Sequence, residues 1–305
     1  MGGVGGADDV GGETDLTGPA DVAELQERLR SVGYLAGRGL ATATFIGLRL
    51  GRPILLEGEV GVGKTELAKC LAQIHGRRLI RLQCYEGIDT NQALYEWDYA
   101  RQMLHVRALS ERQLTDATTV SGLYGPDFLL ERPLLQAIRE GAGAVLLIDE
   151  IDRADDEFEA FLLELLSDLQ ITIPEVGTIT AESAPIIVLT SNRTRELHDA
   201  LKRRCLYHWI GYPTLEEEID IVKVQAPAAT DALVTKVVGA VHRLRDLDLA
   251  KPPGIAETLD WVEALGVVGG DDLDVVVASD TMGAVIKDRD DLELVEADLD
   301  HIVNG

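Results

Sequence analysis

Five short strand-like stretches alternate with helical patterns along the first two thirds of the chain, at residues 54–56, 78–84, 144–148, 185–190 and 206–212, and those at 54–56, 144–148 and 185–190 are apolar almost throughout. Continuous apolar runs of this length are typical of parallel strands that are buried on both faces. The intervening stretches carry apolar residues at the 3.6-residue spacing of amphipathic helices, most clearly at residues 20–32, 40–50, 132–140 and 156–169. This alternation predicts an α/β fold with a parallel five-stranded sheet.

After Pro213 the pattern changes and predicts helices only, at residues 215–224, 229–247, 255–265, 273–286 and 292–303. We therefore expect two packed units, an α/β domain over residues 20–213 and an all-α lid domain over residues 214–305. Residues 1–19 are rich in Gly and Asp and lack apolar periodicity, which predicts a disordered tail. Residues 171–179 have the pattern of a β-hairpin.

Composition and cysteine placement narrow the class of protein. Hydrophobic residues make up 46% of the 305, yet no apolar run approaches the ~20 residues needed to span a bilayer. The first residues lack the basic and apolar regions of a secretory signal, so we expect a cytoplasmic protein. The three cysteines, Cys70, Cys84 and Cys205, are scattered without a zinc spacing, and we interpret them as buried structural thiols.

The formal net charge of −25 is the most unusual bulk property of the chain. A surface this acidic repels nucleic acid unless a local basic patch intervenes, and the one concentrated basic stretch lies within residues 193–204. Adaptation to a high-salt cytoplasm and simple solubility are both open interpretations. A melting temperature that is the same in low and molar KCl would exclude the first.

A glycine-rich turn separates the first strand from the helix that follows it, with the spelling Gly58-x-x-x-x-Gly63-Lys64-Thr65. This is a P-loop in its usual setting, and it predicts binding of ATP with Mg²⁺. Glycines allow a tight turn whose N–H groups face phosphate oxygens, Lys64 would reach the outer phosphates, and Thr65 would place its hydroxyl on the metal. The predicted phosphate-binding residues are Gly58, Val60, Gly61, Val62, Gly63, Lys64, Thr65 and Glu66.

Polar residues follow two later strands, where ligands collect in open α/β sheets. Asp149 and Glu150 end the strand at 144–148, and we expect Asp149 to hold Mg²⁺ through water and Glu150 to polarise the attacking water. Asn192 follows the strand at 185–190 and is predicted to contact the attacking water or the γ-phosphate. The alternative is that Asn192 only caps a turn.

Two further groups of residues have a functional and a structural interpretation. Arg203 and Arg204 lie in the basic stretch, where an arginine could neutralise charge in a phosphoryl-transfer transition state or form a solvated surface. The aromatic cluster could grip a substrate or pack an insertion onto the core, and packing is the favoured interpretation. Its members are Tyr85, Tyr95, Trp97 and Tyr99.

Taken in order, these motifs resemble the AAA+ ATPases, and within them the MoxR group, specifically the CoxD-type accessory ATPases associated with carbon monoxide dehydrogenase maturation. The stretches that carry the resemblance include GLRLGRPILLEGEVGVGKTELAK, LYEWDYARQ, VLLIDEIDRADDEFEAFLLELLSDLQITIPE, VLTSNRTRELHDALKRRCLYHWI and ETLDW. They span roughly residues 38–262.

The resemblance implies a homo-oligomeric ring, usually a hexamer, with ATP held between neighbouring subunits. It gives Asp149 and Glu150 the Walker B role and Asn192 the sensor 1 role. Arg203 falls on the arginine finger, with Arg204 as the second choice. The hairpin at 171–179 corresponds to the pre-sensor insertion of the group. A metalloenzyme client and a partner with a von Willebrand factor A domain are also implied.

One departure concerns the sensor 2 arginine of the lid, because Ala256 occupies the corresponding stretch and cannot supply the charge. Lys251 is nearby in sequence, without an assigned contact. The leading hypothesis is an ATPase that remodels a client protein without binding nucleic acid. A nucleic-acid motor or loader, and a nucleotide-gated scaffold that does not hydrolyse ATP, are the alternatives.

Overall fold

The computed structural model describes residues 18–108, 122–269 and 272–305. The predicted tail at 1–19 falls almost entirely outside these ranges. The strands are β1 Ile54–Gly58, β2 Arg78–Gln83, β3 Tyr95–Trp97, β4 Leu129–Glu131, β5 Ala144–Asp149, β6 Gln170–Ile173, β7 Gly177–Thr180, β8 Ile186–Ser191 and β9 Leu206–Ile210. Five of them form the predicted sheet, in the order β2-β5-β8-β1-β9.

All four pairings in this sheet are parallel, so the carboxyl ends of the strands share one edge. The register places Asp149 of β5 opposite Gln83 of β2 and places Ser191 of β8 opposite Glu57 of β1. Both β1 and β5 are buried along their whole length, as continuous apolar runs predict. The predicted five-stranded α/β fold is confirmed.

Helices cover both faces of the sheet. The helices of the α/β part are α1 Val22–Ser31, α2 Arg38–Leu50, α3 Lys64–Ile74, α4 Thr90–Leu94, α5 Tyr99–Ala108, α6 Pro133–Glu140, α7 Asp156–Asp168 and α8 Asp199–Arg204. Residues of α1, α2 and α3 pack on one face around Leu67 and Val145. Residues of α6 and α7 pack on the other face, with Leu135 and Leu162 fully buried.

Two small antiparallel sheets accompany the main one. The pair β6–β7 forms the hairpin expected at 171–179. The pair β3–β4 joins Tyr95–Trp97 to Leu129–Glu131, and the sequence pattern did not indicate it because three-residue strands have too few positions to show a period. Trp97 is buried against the edge of Tyr124, whereas Tyr85 and Tyr99 are exposed, so the packing interpretation fits only part of the aromatic cluster.

The chain after Pro213 is helical in the residues described. Its helices are α9 Leu215–Gln225, α10 Asp231–Arg245, α11 Ile255–Val267, α12 Val275–Thr281, α13 Arg289–Ala297 and α14 Leu299–Asn304. They enclose a separate core that contains Val238, Trp261 and Leu265. The single helix expected at 292–303 is two helices, because Asp298 leaves the helical conformation at φ −124° and ψ 19°. The boundary near residue 213 stays a prediction.

Two further expectations from composition concern the cysteines and membrane spans. Cys70, Cys84 and Cys205 are all free and buried. Within the described ranges, the structure has no helix that is both long and apolar enough to cross a membrane.

Candidate nucleotide-binding site

The loop between β1 and α3 has a backbone that demands glycine. Gly61 and Gly63 have φ values of 76° and 86°, in the left-handed region that residues with a Cβ avoid. A Cβ at Gly58 would lie 1.9 Å from the carbonyl oxygen of Ile210 on the neighbouring β9. The spacing of the glycines in the sequence therefore reflects both the turn and the close approach of two strands.

Lys64 is the first residue of α3, and its side chain folds over the loop. Its Nζ donates to the carbonyl oxygens of Gly58 at 2.8 Å and Glu59 at 2.5 Å. Burial lowers the pKa of Lys64, and nearby carboxylates, with Asp152 the strongest, oppose this shift. The ammonium group therefore lies in a desolvated cradle, where its charge acts strongly on an anion.

Asp149, at the end of β5, is the hub of the site and is 3% exposed. Its Oδ1 accepts from the hydroxyl of Thr65 at 2.9 Å and from that of Thr190 at 2.5 Å. Its Oδ2 accepts from Nε of Arg81 at 3.0 Å. The structure thus brings Thr65 and Asp149 together, as the sequence predicted, and adds Thr190 and Arg81, which the sequence analysis missed.

The donor set at this point suits a magnesium ion. Mg²⁺ prefers oxygen ligands and is usually held by one or two protein groups together with waters and substrate phosphates. The Thr65 hydroxyl and the Asp149 carboxylate are such a pair. In the described part of the chain, no group of three or more His, Cys, Asp or Glu side chains gathers into a denser metal cluster. The residues present therefore fit Mg²⁺ bound together with a nucleotide.

Glu150 follows Asp149 in a strained backbone conformation. Its φ of 54° is uncommon for a residue with a side chain, and its N–H donates to Thr190 Oγ1 at 2.9 Å, which stabilises the turn. Nη1 of Arg153 lies 3.1 Å from the Glu150 carboxylate. The turn directs Glu150 to the cavity beside the P-loop.

A buried carboxylate holds the loop that carries Asn192. Asp152 is 2% exposed and accepts from the backbone N–H of Asn192 at 3.2 Å and from the N–H of Thr194 at 2.9 Å. The Thr194 hydroxyl also donates to Asp152, at 2.7 Å. Asn192 lines the same cavity as Lys64 and Glu150. The sequence analysis missed Asp152, whose only signal was its position three residues after Asp149.

The cavity measures about 830 Å³ and extends from the phosphate side to a second wall. That wall is formed by residues 33–37, by the end of β9, by Tyr212 just after it and by Ile255 at the start of α11. The Tyr34 hydroxyl donates to the Gly63 carbonyl at 3.3 Å, and Gln225 Nε2 donates to the Gly33 carbonyl at 2.7 Å. Burial lowers the pKa of His208, which also lines this wall. A nucleoside has room here, next to the phosphate cradle.

The two arginines predicted to act in catalysis do not line this cavity. Arg203 and Arg204 are exposed at the end of α8, and among the described residues neither guanidinium has a carboxylate within 4.0 Å. Arg52 donates to their carbonyl oxygens at 2.7 and 3.2 Å and so fixes the backbone that presents them. The structure does not bring these arginines to Lys64 of the same chain.

The residues considered for the sensor 2 position are also separated. Ala256 lines the cavity, but its methyl group carries no charge. Lys251 Nζ lies 2.9 Å from Asp288 Oδ2, and Lys251 is not part of the cavity wall. The hydrogen bond and charge of Asp288 raise the pKa of Lys251. No side chain at 251 or 256 therefore takes the place of the missing arginine.

A strand, a glycine loop and a helix, with a threonine hydroxyl bonded to a carboxylate at the end of the buried strand β5, define a P-loop nucleotide-binding protein. Residues 53–205, half of the chain, match the sequence model of the AAA domain, dynein-related subfamily. The chain belongs to this family.

The individual relatives and solved structures that the chain resembles have low sequence identity to it. The chain is 24% identical over 224 residues to an uncharacterized protein of Staphylococcus saprophyticus, covering 72% of this chain and 77% of that protein. It is 26% identical over 208 residues to the gas vesicle ATPase GvpN1 of Halobacterium salinarum, covering 65% of this chain and 58% of the relative. The Thermotoga maritima RuvB Holliday junction branch migration motor matches with a TM-score of 0.45 and 20% identity, over 92% of this chain and 76% of that chain.

Proposed function

We propose that this chain is an Mg²⁺-dependent ATPase that converts ATP hydrolysis into remodelling of a client protein. The observation that carries the proposal is the bond of 2.9 Å between Thr65 Oγ1 and Asp149 Oδ1, with Lys64, Glu150 and Asn192 around the same cavity. Each of these side chains has a role in phosphoryl transfer that its chemistry supports. A scaffold that binds nucleotide without hydrolysing it does not require a carboxylate beside the phosphate cradle, so Glu150 favours hydrolysis.

The roles follow from position. Lys64 neutralises charge on the outer phosphates, and Thr65 and Asp149 would hold Mg²⁺, which when bound supplies further neutralisation of phosphate charge. Glu150 accepts a hydrogen bond from the attacking water and polarises it. Asn192, held through its backbone by Asp152, orients that water or the γ-phosphate. The P-loop N–H groups of residues 60–66 bind the remaining phosphate oxygens.

Assembly into a ring completes the site in this proposal. Members of the AAA+ superfamily commonly oligomerise, and Arg203, with Arg204 as the second choice, would act on ATP held by a neighbouring subunit. Their exposure at the end of α8 and their absence from the chain's own cavity support this arrangement. A hexamer is the ring size that the resemblance to the MoxR group suggests.

The client is inferred from resemblance alone. The CoxD-like stretches favour a metalloenzyme of the molybdenum hydroxylase or carbon monoxide dehydrogenase type, with a partner that has a von Willebrand factor A domain. The similarity to a gas vesicle ATPase favours a second candidate, an ATPase that acts on gas vesicles. The net charge of −25 disfavours a nucleic-acid motor.

The replacement Glu150→Gln tests the catalytic proposal, because it keeps the shape of the side chain and removes its charge. We expect ATP affinity to remain unchanged and kcat to fall by about 100-fold or more, the usual contribution of a positioned general base. Steady-state phosphate release and fluorescent ATP titration measure the two quantities. Glu157→Gln, at an exposed position in α7, is the matched control and should retain full activity.

Three outcomes would overturn parts of the proposal. Rapid hydrolysis by the Glu150→Gln variant would reject the role of Glu150, and absence of hydrolysis by the unmodified protein would favour a nucleotide-gated scaffold. Mixing Arg203→Ala subunits with Lys64→Ala subunits should restore part of the activity if the arginine acts across an interface. Stimulation of the ATPase by DNA would favour the nucleic-acid alternative.

A further inference from the structure

The helical region touches the P-loop backbone to backbone, through the turn formed by Pro253, Gly254 and Ile255, here called the 253–255 turn. A Cβ at Gly254 would lie 2.7 Å from Gly61 Cα and 2.7 Å from the Val60 carbonyl oxygen. The N–H of Ile255 donates to the carbonyl oxygen of Gly61 at 3.0 Å. No side chain separates the two segments, so a movement of either one is transmitted to the other.

The bond to Gly61 has a direct consequence for phosphate binding. The Gly61 carbonyl and the Val62 N–H belong to one planar trans peptide unit, in which they point in opposite directions. A donor that fixes the carbonyl therefore also fixes the direction of the Val62 N–H. Val62 is one of the residues whose N–H groups are predicted to face phosphate oxygens. The 253–255 turn thus controls the orientation of part of the cradle.

Arg245 holds this turn in place. Its Nε donates to the Pro253 carbonyl at 2.7 Å, and its two terminal nitrogens contact the carboxylate of Glu218 at 2.5 and 2.8 Å. The guanidinium also lies 4.5 Å from the centre of the Tyr212 ring, which lines the nucleotide cavity. All five donor hydrogens of a guanidinium point in fixed directions, so this geometry orients the turn rather than merely attracting it.

A second buried contact completes the support. The hydroxyl of Thr258, one turn into α11, lies 2.7 Å from Glu218 Oε1 and 3.0 Å from the Gly254 carbonyl oxygen. Glu257 accepts from the Gly254 N–H at 2.9 Å. The backbone polar atoms at the start of α11 are therefore bonded to the P-loop, to the cluster centred on Glu218, or to Glu257.

We propose that Arg245 is a positioning residue that seats the 253–255 turn on Gly61, and that this contact sets the affinity of the P-loop for nucleotide. The contact couples the helical region to the nucleotide where Ala256 supplies no arginine. The inference rests on the proposed function only in assuming that the cavity binds ATP or ADP.

Gly254→Ala tests the contact while leaving the Arg245–Glu218 pair untouched. The added methyl group meets backbone atoms that cannot move aside, so the turn must leave Gly61. We expect the dissociation constant for a fluorescent ADP analogue to rise about tenfold, within the range that one lost hydrogen bond produces, with KM for ATP rising more than kcat falls. Gly266→Ala, in the same helix with no atom within 4 Å of the new methyl group, is the matched control and should bind as the unmodified protein does.

Arg245→Lys is the second variant, since lysine keeps a positive charge beside Glu218 and loses the directed bond to Pro253. We expect weaker binding, and no further loss when it is combined with Gly254→Ala, because both changes act through one contact. Arg243→Lys is its control, because Nε of Arg243 donates to the carbonyl of Ile302, away from the P-loop. Circular dichroism establishes that each variant is folded.

The outcomes separate the two proposals. If the unmodified protein binds no nucleotide, the proposed function fails. If it binds and folded Gly254→Ala binds equally well, the role of the 253–255 turn is rejected. Additive effects of the two changes would reject Arg245 as the residue that acts through this turn.

Discussion

Two buried carboxylates, Asp149 at the edge of the sheet and Glu218 in the helical region, are surrounded by different kinds of partner. Asp149 is bonded to two hydroxyl groups and to Arg81, whose side chain is 53% exposed. Glu218 is 0% exposed and is bonded to Arg245, whose side chain is 8% exposed, and to Thr258 and His242. Both acids are buried to nearly the same degree.

The two sets of partners suit different roles, a binding site at Asp149 and a structural support at Glu218. The charge of Asp149 is balanced by a guanidinium that water can solvate elsewhere, so its carboxylate can change partners at low cost. The charge of Glu218 is balanced by Arg245, which is itself almost fully buried, so separating the two would strand a buried charge. Burial of an acid alone therefore does not identify a functional residue, and the solvent exposure of its counter-charge is the better guide.

The largest effect that this comparison predicts is at Glu218. Glu218→Ala leaves Arg245 buried without its carboxylate, and we expect the free energy of unfolding to fall by about 3–5 kcal/mol. Urea unfolding followed by circular dichroism measures it. The control is Glu216→Ala on the same helix, where the side chain is exposed and the change should stay within about 0.5 kcal/mol. Equal stability of the two variants would contradict the assignment of Glu218 as a fixed support.

Local signals made much of the fold and the phosphate side of the site predictable. The three central strands β1, β5 and β8 contain continuous apolar runs, and the P-loop is spelled by glycines that the backbone requires at Gly58, Gly61 and Gly63. Asp149 and Glu150 follow an apolar run directly, so their place at the sheet edge needed no knowledge of distant residues. The catalytic roles of Glu150, Asn192 and Arg203 stay predictions.

The rest of the site depends on contacts between residues that are far apart in the chain. Arg81 and Asp149 are 68 positions apart, and Arg52 is 151 positions from the carbonyl that it binds at Arg203. Neither pair produces a periodic pattern in the sequence, because each contact involves a single residue from each of two distant segments. The contact of Gly254 with Gly61 is of the same kind. A glycine in a turn does not by itself indicate such a contact, because many turns require glycine for other reasons. Such pairs emerge only once the chain is folded.

The intermediate effect is at Arg81, the exposed partner of Asp149. Arg81→Ala should lower the free energy of unfolding less than Glu218→Ala does, because the Arg81 side chain is 53% exposed and the two hydroxyl groups stay bonded to Asp149. It also removes a cation that competes for the Asp149 carboxylate. We therefore expect Mn²⁺, used as a probe for Mg²⁺, to bind about threefold more tightly in the presence of ADP. Electron paramagnetic resonance of free Mn²⁺ measures this binding.

Arg78→Ala is the matched control, since Arg78 lies on the same strand and its Nη1 is 3.7 Å from Glu140. That variant should bind Mn²⁺ as the unmodified protein does. Weaker Mn²⁺ binding by Arg81→Ala would show that Arg81 supports the metal site instead of competing for it, and the comparison with Glu218 would then lose its contrast.

The last effect is absent at neutral pH and concerns His75, a buried histidine. Unlike His242, which is bonded to Glu218, His75 has no acidic partner among the described residues. His75 is 7% exposed, its Nε2 has no hydrogen-bond partner among the described residues, and burial together with the charges of Arg77 and Arg28 lowers its pKa from 6.5 to about 4. As the pH falls below 6.5, the unfolded chain takes up a proton that the folded chain refuses. The stability that His75 contributes is therefore complete above pH 6.5 and is lost as the pH falls towards 4. His75→Leu cannot be protonated, so we expect its free energy of unfolding to fall less between pH 7 and pH 5 than that of the unmodified protein. Urea unfolding at each pH measures the difference. His301→Leu, at an exposed position, is the control. Identical pH profiles for all three proteins would reject the role of His75.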